Sequence, residues 1–239
     1  MTAIKWSTFK ELSAEFWDTE DIWLFRGHSD PRWKLDTSYK RYCNSIEIGF
    51  DINRYIELLH SFIDNASDFF EHDLHQLTTS AKMALAQHHG VPTPFLDWTE
   101  SPYIAVFFAL WPRIGQLNTG PFTVWAMRIN QAKLKADLEH DNLDPSEPFR
   151  IMRPKIFESR RLARQLGWFT SLLVDESLDD YARRTKEQIR LQRYDISGDA
   201  WVMILRELQL MGIRAGNLFD SLDGVAADVK LKNIIANLT

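Results

Sequence analysis

The chain has 239 residues, of which 45% are hydrophobic and 26% charged, and its formal net charge is −5. This composition is typical of a folded globular protein and excludes a disordered chain, and the negative balance excludes an overall positive field that would draw the protein to nucleic acid. The single cysteine, Cys43, excludes an intrachain disulfide, which is typical of a reducing compartment, so we expect a cytoplasmic protein. We expect neither a signal peptide nor a membrane span, because the longest apolar run, Tyr103 to Trp111, falls far short of the roughly 20 residues that a bilayer requires.

The first half of the chain alternates predicted helices with short predicted strands. Apolar residues recur at three- and four-residue spacing in the helical segments, whereas the strands are short apolar runs. Ser80 is the expected N-cap of the third helix, and Gly90 is its expected end. The predicted helices cover residues 6–18, 51–72 and 80–89, and the predicted strands cover residues 21–27 and 95–98.

The second half of the chain begins with a helix that has Ser101 as its cap and Pro102 in its first turn, and that ends near Trp111. Further along the chain we predict strands over 122–129, 167–174 and 189–194 and a helix from Asp199 to Gly212. Residues 131–148 form a predicted irregular polar segment, with one short helix as the alternative, and residues 175–181 form a predicted acidic loop. No segment has the composition of a linker. We therefore expect one α+β domain over residues 1–239, with a core from about 20 to 235.

The densest polar motif runs from Gln87 to Pro102 and leads directly into an apolar helix. A helix N-terminus presents unpaired N–H groups and the positive end of the helix dipole, which suit phosphates and other anions. Asp97, Thr99 and Ser101 alternate, so in an extended chain their side chains point to the same side. We expect a functional pocket here. The alternative is that Thr99 or Ser101 only caps the helix.

The neighbouring residues His88 and His89 do not indicate a metal site. On a helix they point about 100° apart, and no set of cysteine or carboxylate partners completes a zinc site. We therefore predict no metal. His88 is the candidate to position a substrate or to bond the region of Asp97, and a structural role is an equal alternative.

Arg26 ends an apolar strand and is followed by Gly27, which allows close backbone approach. Two interpretations are open, a structural ion pair or a bidentate contact to a phosphate or ribose, and we favour the second. His28 is either a surface residue or a further ligand contact.

Residues 150–164 form a basic segment with interleaved apolar residues. It is either a solvated, partly helical face or a patch that steers a polyanion such as RNA, DNA or the phosphates of a nucleotide. Its basic residues are Arg150, Arg153, Lys155, Arg160, Arg161 and Arg164.

Three blocks of the chain resemble the FRG domain family, which is named after a Phe-Arg-Gly tripeptide. A weaker match lies near the C-terminus, over residues 208–224. The blocks are Trp23–His28 followed by Thr37–Arg41, then Gln87–Pro102, and then Arg161–Thr170. This resemblance covers most of the chain and implies that residues 1–239 form a single FRG domain.

A more distant resemblance is to ADP-ribosyltransferases. Phe25-Arg26-Gly27 resembles their aromatic-Arg-Gly strand, and Thr99-Glu100-Ser101 resembles their Ser-Thr-Ser motif. The resemblance implies a split β-sheet core with flanking helices, and NAD as co-substrate without a metal. It implies four catalytic residues: Arg26 to hold an NAD phosphate or ribose, Thr99 and Ser101 to shape the nicotinamide pocket, and Gln165 to orient the ribose. The residues expected to bind NAD are Arg26, Gly27, His28, Tyr39, His88, Asp97, Thr99 and Phe169.

The third block departs from the transferase pattern. Arginine-type transferases carry a Glu two residues after the position of Gln165, whereas this chain has Gly167 there and no acid between Arg160 and Leu173. Gln165 can bond a ribose hydroxyl but supplies no negative charge.

The leading hypothesis is an NAD-dependent ADP-ribosyltransferase, a bacterial toxin or phage-defence effector that modifies RNA, DNA or protein and that an antitoxin restrains. The alternative is a non-catalytic nucleotide- or partner-binding module on the same fold. A nuclease that uses Asp97 and the histidine pair is a weaker idea, because no carboxylate cluster for a metal is present.

Overall fold

The structure, a computed structural model, describes residues 2–17, 21–114, 120–139, 144, 146–153, 160–185 and 189–238, with the side chains of Arg160, Arg161 and Leu238 excepted. The strands are β1 (Ile22–His28), β2 (Phe95–Thr99), β3 (Phe122–Ile129), β4 (Phe149–Met152), β5 (Gly167–Leu172) and β6 (Arg190–Ile196). The helices are α1 (Trp6–Ala14), α2 (Ser38–Ser45), α3 (Ile52–Ala66), α4 (Thr79–His88), α5 (Pro102–Leu110), α6 (Gln131–Glu139), α7 (Arg160–Arg164), α8 (Leu178–Arg184), α9 (Trp201–Leu210), α10 (Ala215–Phe219) and α11 (Leu222–Leu238). The predicted α+β class is confirmed.

The six strands form one antiparallel sheet in the order β4-β5-β2-β1-β3-β6. The pairing between β1 and β2 is much shorter than the pairings beside it. β1 and β3 pair along seven residues and β2 and β5 along five, but β1 and β2 share the single pair Phe25↔Thr99. The sheet therefore has two well-paired halves that separate between β1 and β2, and we call this gap the split.

Apolar side chains on both faces of the sheet hold the flanking helices. One face is covered by α5, α9 and α11 over β1 and β3, and by α2, α3 and α4 over β2 and β5. The other face is covered by α6, α8 and the segment 29–37, which contributes Leu35. The Leu35 N–H donates to Asp179 Oδ1 at 2.9 Å and the Leu35 carbonyl accepts from the Leu178 N–H, so this segment is tied to α8.

Gly27 lets α5 lie directly against β1. A Cβ atom at this position would lie 1.9 Å from the backbone oxygen of Ala105 and 2.8 Å from the nitrogen of Ala109. The close backbone approach expected at Gly27 is thus made by a helix of the same chain. Every larger residue would push α5 off the sheet.

Several predicted boundaries are corrected. The helix predicted over 51–72 ends as α3 at Ala66 and passes into a 3₁₀ turn over Ser67–Phe69. The expected cap Ser80 lies inside α4. The N-cap is Thr78, whose backbone is extended and whose side chain accepts from the Ala81 N–H. Asp199 does not cap α9, whose N-cap is Ala200 without a side-chain bond.

The acidic loop predicted over 175–181 is wrong, because α8 begins within it. Ser177 caps α8 by accepting from the Asp180 N–H, and Asp179 and Asp180 lie in the first turn. Arg183 and Arg184 lie in the last turn. Acids near the start and bases near the end stabilise a helix through its dipole. The charges that predicted a solvated loop therefore stabilise α8. None of the helices described is long and apolar enough to cross a membrane.

Candidate ligand-binding site

Arg26 occupies the split. Beyond the pair Phe25↔Thr99 the ladder between β1 and β2 stops, and Arg26 Nη1 donates instead to the backbone oxygen of Asp97 at 2.7 Å. The same nitrogen lies 3.4 Å from Asp97 Oδ2, and the Arg26 side chain is 18% exposed. A guanidinium thus bridges two strands that do not pair directly.

A chain of hydrogen bonds continues from Arg26 into the polar motif. Gln87 Nε2 donates to Asp97 Oδ1 at 2.5 Å, and Thr93 Oγ1 donates to Gln87 Oε1 at 2.5 Å. The Asp97 side chain is 59% exposed, so its carboxylate is held by these partners while it faces solvent. We call Arg26, His28, Gln87, Thr93 and Asp97 the Arg26 cluster.

Two charges oppose each other around the guanidinium. Burial lowers the pKa of Arg26, the Asp97 carboxylate raises it, and the positive charge of Arg41 lowers it further. Arginine nevertheless stays charged at all ordinary pH values. The split therefore holds a partly buried cation with one exposed carboxylate beside it.

His28 is neutral next to this cation. Its side chain is only 6% exposed, and burial, followed by the positive charge of Arg26, lowers its pKa to about 3. Arg26 Nε donates to His28 Nε2 at 3.3 Å. A neutral imidazole that accepts at Nε2 carries its proton on Nδ1, so His28 presents an Nδ1–H donor.

The hydroxyls of Thr99 and Ser101 are used within the protein. Thr99 Oγ1 donates to the backbone oxygen of Gln165 at 2.7 Å and accepts from the Ser101 N–H at 3.2 Å. Ser101 Oγ accepts from the Ile104 N–H at 3.3 Å as the N-cap of α5. The side-chain amide of Gln165 donates to the Leu218 carbonyl at 3.0 Å. These three residues hold α5 and β5 to the end of β2.

Among the hydrogen bonds of the described residues, Arg26 makes none to Thr99 or Ser101, so a shared NAD pocket of these three residues stays a prediction. Phe25 and Thr99 are directly opposed in the ladder and share one face of the sheet. Arg26 follows Phe25 and so starts from the other face of the sheet, but its guanidinium reaches across the split to Asp97, which alternates with Thr99 along β2. The sequence showed the alternation within each strand, but the register between the strands decides which residues meet.

The other expected NAD-binding residues lie in different surroundings. Tyr39 is 1% exposed and donates its hydroxyl to the Asp51 carbonyl at 2.8 Å. Phe169 packs on Phe95 with ring centres 5.2 Å apart, in the apolar cluster under α2, α3 and α4. His88 is exposed at the end of α4.

The described part of the basic segment contacts the protein itself. Arg150 is 3% exposed and its Nη2 donates to the Asp137 carbonyl at 2.8 Å. Arg164 pairs with Asp220 at 3.0 Å, and Arg153 lies over the Trp168 ring at 4.8 Å. Lys155 and the side chains of Arg160 and Arg161 lie outside the described residues.

Two features of the site have no signal in the local sequence pattern. The bond between Gln87 and Asp97 depends on how α4 packs beside β2, which local pattern does not encode. Trp125 stands opposite Arg26 in the ladder between β1 and β3, yet it lies in a mostly apolar strand whose pattern indicates a buried core position. Among the residues described, no group of three or more His, Cys, Asp or Glu side chains could hold a metal.

Comparison with protein families gives one result. Residues 21–113 match the family model described as FRG domain, and this range contains every member of the Arg26 cluster. No curated protein and no solved structure matches the chain.

Proposed function

Since residues 21–113 match the family model described as FRG domain, we propose that the chain binds NAD in the split and transfers the ADP-ribose group to an acceptor. The observation that carries the proposal is the position of Arg26, a partly buried cation in a gap of the sheet with the exposed carboxylate of Asp97 beside it. Guanidinium groups bind phosphates through charge-assisted hydrogen bonds, and NAD offers two phosphates.

Arg26 has capacity left for a phosphate. Its hydrogen bonds to the described residues use Nη1 and Nε, and Nη2 makes none of them. Burial strengthens a charge-assisted bond because less solvent competes for it. In this proposal Arg26 anchors the dinucleotide and Gln87 fixes the direction of the Asp97 carboxylate.

Asp97 takes the role of the acid that β5 lacks. Breaking the bond between nicotinamide and ribose builds positive charge on the sugar, and a fixed negative group near that charge lowers the barrier. Gln165 bears no charge and its amide is engaged with Leu218. The Asp97 carboxylate faces solvent beside Arg26, where a bound ribose would reach it.

The test is incubation of the purified protein with NAD labelled in its adenylate phosphate, together with cell lysate. We expect label in macromolecules, and digestion with nuclease or protease identifies the acceptor class. Arg26→Ala and Asp97→Asn should both abolish most of the label, whereas Thr99→Val is the control that should keep it. A wild-type protein that neither binds NAD nor transfers label would contradict the proposal.

A non-catalytic nucleotide-binding module is the second candidate. It is favoured by the engagement of Thr99, Ser101 and Gln165 in bonds within the protein, which removes three of the four expected catalytic side chains. The same experiment separates the two functions. NAD binding without nicotinamide release or label transfer would identify the module.

The biological setting remains part of the proposal. Transfer of ADP-ribose inside a cell would damage its own macromolecules, which suits a toxin or a phage-defence effector that an antitoxin holds in check. A nucleic acid acceptor such as RNA would use the basic segment, in which Arg153 has a half-exposed guanidinium. Digestion of the labelled product decides between nucleic acid and protein.

A further inference from the structure

Two buried side-chain N–H groups near Arg26 have no acceptor with good geometry in the part of the chain that the structure describes. Among the residues that the structure describes, neither His28 Nδ1 nor Trp125 Nε1 has a hydrogen-bond partner. His28 is 6% exposed and Trp125 is 8% exposed. The Trp33 backbone approaches the His28 ring and raises its pKa, but it does not meet hydrogen-bond geometry. Buried polar groups in folded proteins almost always have partners, so two such donors side by side require an explanation.

The sheet register brings the two donors together. Arg26 pairs with Trp125, and His28 pairs with Thr123, across β1 and β3. His28 and Trp125 are therefore diagonal neighbours on one face, at a separation of roughly 7–8 Å or less between Cβ atoms. Side chains of this length can reach one shared group at that separation. Arg26 lies on the same face, directly opposite Trp125 and two residues before His28.

Positive charge surrounds the two donors. Arg26 donates to the His28 ring, and Arg41 acts electrostatically on both Arg26 and His28. Arg193 lies over the Trp125 ring, 5.6 Å from its centre. The acceptor that these N–H groups would accommodate best is thus an oxygen atom with negative charge.

The carboxylates nearby do not fill this role. Asp179 already accepts from the Leu35 N–H and from Arg183. Asp195 accepts from Thr123 and Arg193. Burial raises the pKa of Asp36, and its Oδ1 is itself without a partner among the described residues, so it does not reach either donor.

The segment 29–37 covers the donors and leaves an exposed aromatic edge. Arg193 Nη2 donates to the Pro31 carbonyl at 2.7 Å, which ties this segment to β6. The Trp33 ring lies edge-on to His28 with centres 6.0 Å apart and is 54% exposed. A ligand that reaches His28 would pass beside Trp33.

We propose that His28 Nδ1–H and Trp125 Nε1–H together bind a phosphate oxygen, and that the diphosphate of a dinucleotide supplies it. The identity of the ligand as NAD rests on the proposed function. The oxyanion site itself rests on the two donors, their register and the arginines around them. It places the diphosphate between Arg26 and the segment 29–37.

The indole N–H signals of the nine tryptophans provide the test. In a proton–nitrogen correlation spectrum, Trp125→Phe removes one signal and so assigns it. We expect this signal to move on addition of NAD and of inorganic pyrophosphate, and to stay in place with nicotinamide alone. Trp125→Phe should weaken pyrophosphate binding about five- to tenfold. The matched control is Trp111→Phe, since Trp111 packs on Phe107 and Phe219 in another apolar cluster.

The outcomes separate this inference from the proposed function. If NAD binds but the Trp125 signal does not move with any probe, the oxyanion site is wrong and NAD binding at Arg26 stands. If pyrophosphate moves the signal and NAD does not bind, the oxyanion site stands and the proposed function fails. If Trp125→Phe does not fold, the signal is assigned in the wild-type protein through its contacts with neighbouring protons, and the same shifts decide.

Discussion

The split and the junction between β2 and α5 both carry polar side chains. They differ in how far these side chains are hydrogen-bonded within the protein. At the junction, the hydroxyls of Thr99 and Ser101 make hydrogen bonds to backbone groups just before β5 and at the start of α5. In the split, the Asp97 carboxylate faces solvent and the Nδ1–H of His28 has no partner among the described residues. Groups that satisfy each other build the fold, whereas groups left over mark the place where a ligand can bind.

The cause of this difference is the single pair that joins β1 to β2. On the side of Thr99 the chain turns into α5, and backbone N–H groups at the helix start need acceptors, which the hydroxyls provide. On the side of Arg26 the strands separate, and the guanidinium bonds to the backbone of β2 in place of the missing ladder hydrogen bonds. The following variants test the contrast, in order of decreasing expected effect.

Gly27→Ala should have the largest effect, and it should act on the fold. The added Cβ would overlap the backbone of α5, so we expect the free energy of unfolding to fall by about 3 kcal/mol or more. Chemical denaturation measures this loss. Gly49→Ala is the matched control, because a Cβ at Gly49 has nothing within 4 Å. Equal stability of the two variants would show that α5 does not lie so close to β1.

Arg26→Ala should act on the ligand. Loss of charge-assisted hydrogen bonds should weaken NAD binding by about 2 kcal/mol, or roughly 30-fold, in isothermal titration. Circular dichroism should show a folded protein. Arg32→Ala serves as control, since Arg32 is an exposed arginine whose ion pair among the described residues is with its near neighbour Asp30. An unfolded Arg26→Ala would indicate that the bridge to Asp97 is structural.

His28→Asn should change how stability depends on pH. The folded pKa of His28 is lowered to about 3, so below pH 6.5 the unfolded chain takes up a proton that the folded protein does not. Acid therefore destabilises the wild type through this residue, by up to about 2 kcal/mol at pH 5. The stability difference between wild type and variant should shrink as pH falls from 7 to 5. A constant difference in parallel urea titrations would mean that His28 is not buried in neutral form.

Thr99→Val should lower stability without affecting the ligand. It removes the bond to the Gln165 carbonyl and leaves that oxygen without its partner, at a cost of about 1–2 kcal/mol. NAD affinity should stay within twofold of the wild type. A large loss of NAD affinity with normal stability would indicate that Thr99 contacts the ligand.

Ser101→Ala should have the smallest effect. The loss of an N-cap costs about 1 kcal/mol. Thermal melting should report this loss, and nicotinamide release should proceed at the wild-type rate. Slower release at unchanged stability would show that the hydroxyl contacts the substrate.

The sequence predicted the elements whose pattern is local. The strands over 21–27 and 122–129 and the helix that Ser101 caps are confirmed as β1, β3 and α5. β4, a four-residue strand inside the basic segment, was missed because it is specified by its pairing with β5. α8 was missed because the acids and bases that stabilise its ends read as a charged loop.

The candidate site was predictable in its members but not in its geometry. Arg26 and Asp97 were selected from the sequence, and they are in contact. The register Phe25↔Thr99, which sets Phe25 and not Arg26 opposite Thr99, pairs strands about seventy residues apart in the chain and is not encoded locally. Tyr39 was a candidate through the family resemblance, but its ring fills an apolar cluster made by α2, α3 and α4.

A crystal structure of the protein with bound NAD tests the central claim most directly. The account predicts phosphate oxygens within hydrogen-bond distance of Arg26 and of the side-chain donors of His28 and Trp125, with Thr99 and Ser101 still bonded to the backbone. NAD seated against the Thr99 and Ser101 hydroxyls, with Arg26 still bridging to Asp97 and out of reach of the dinucleotide, would contradict it.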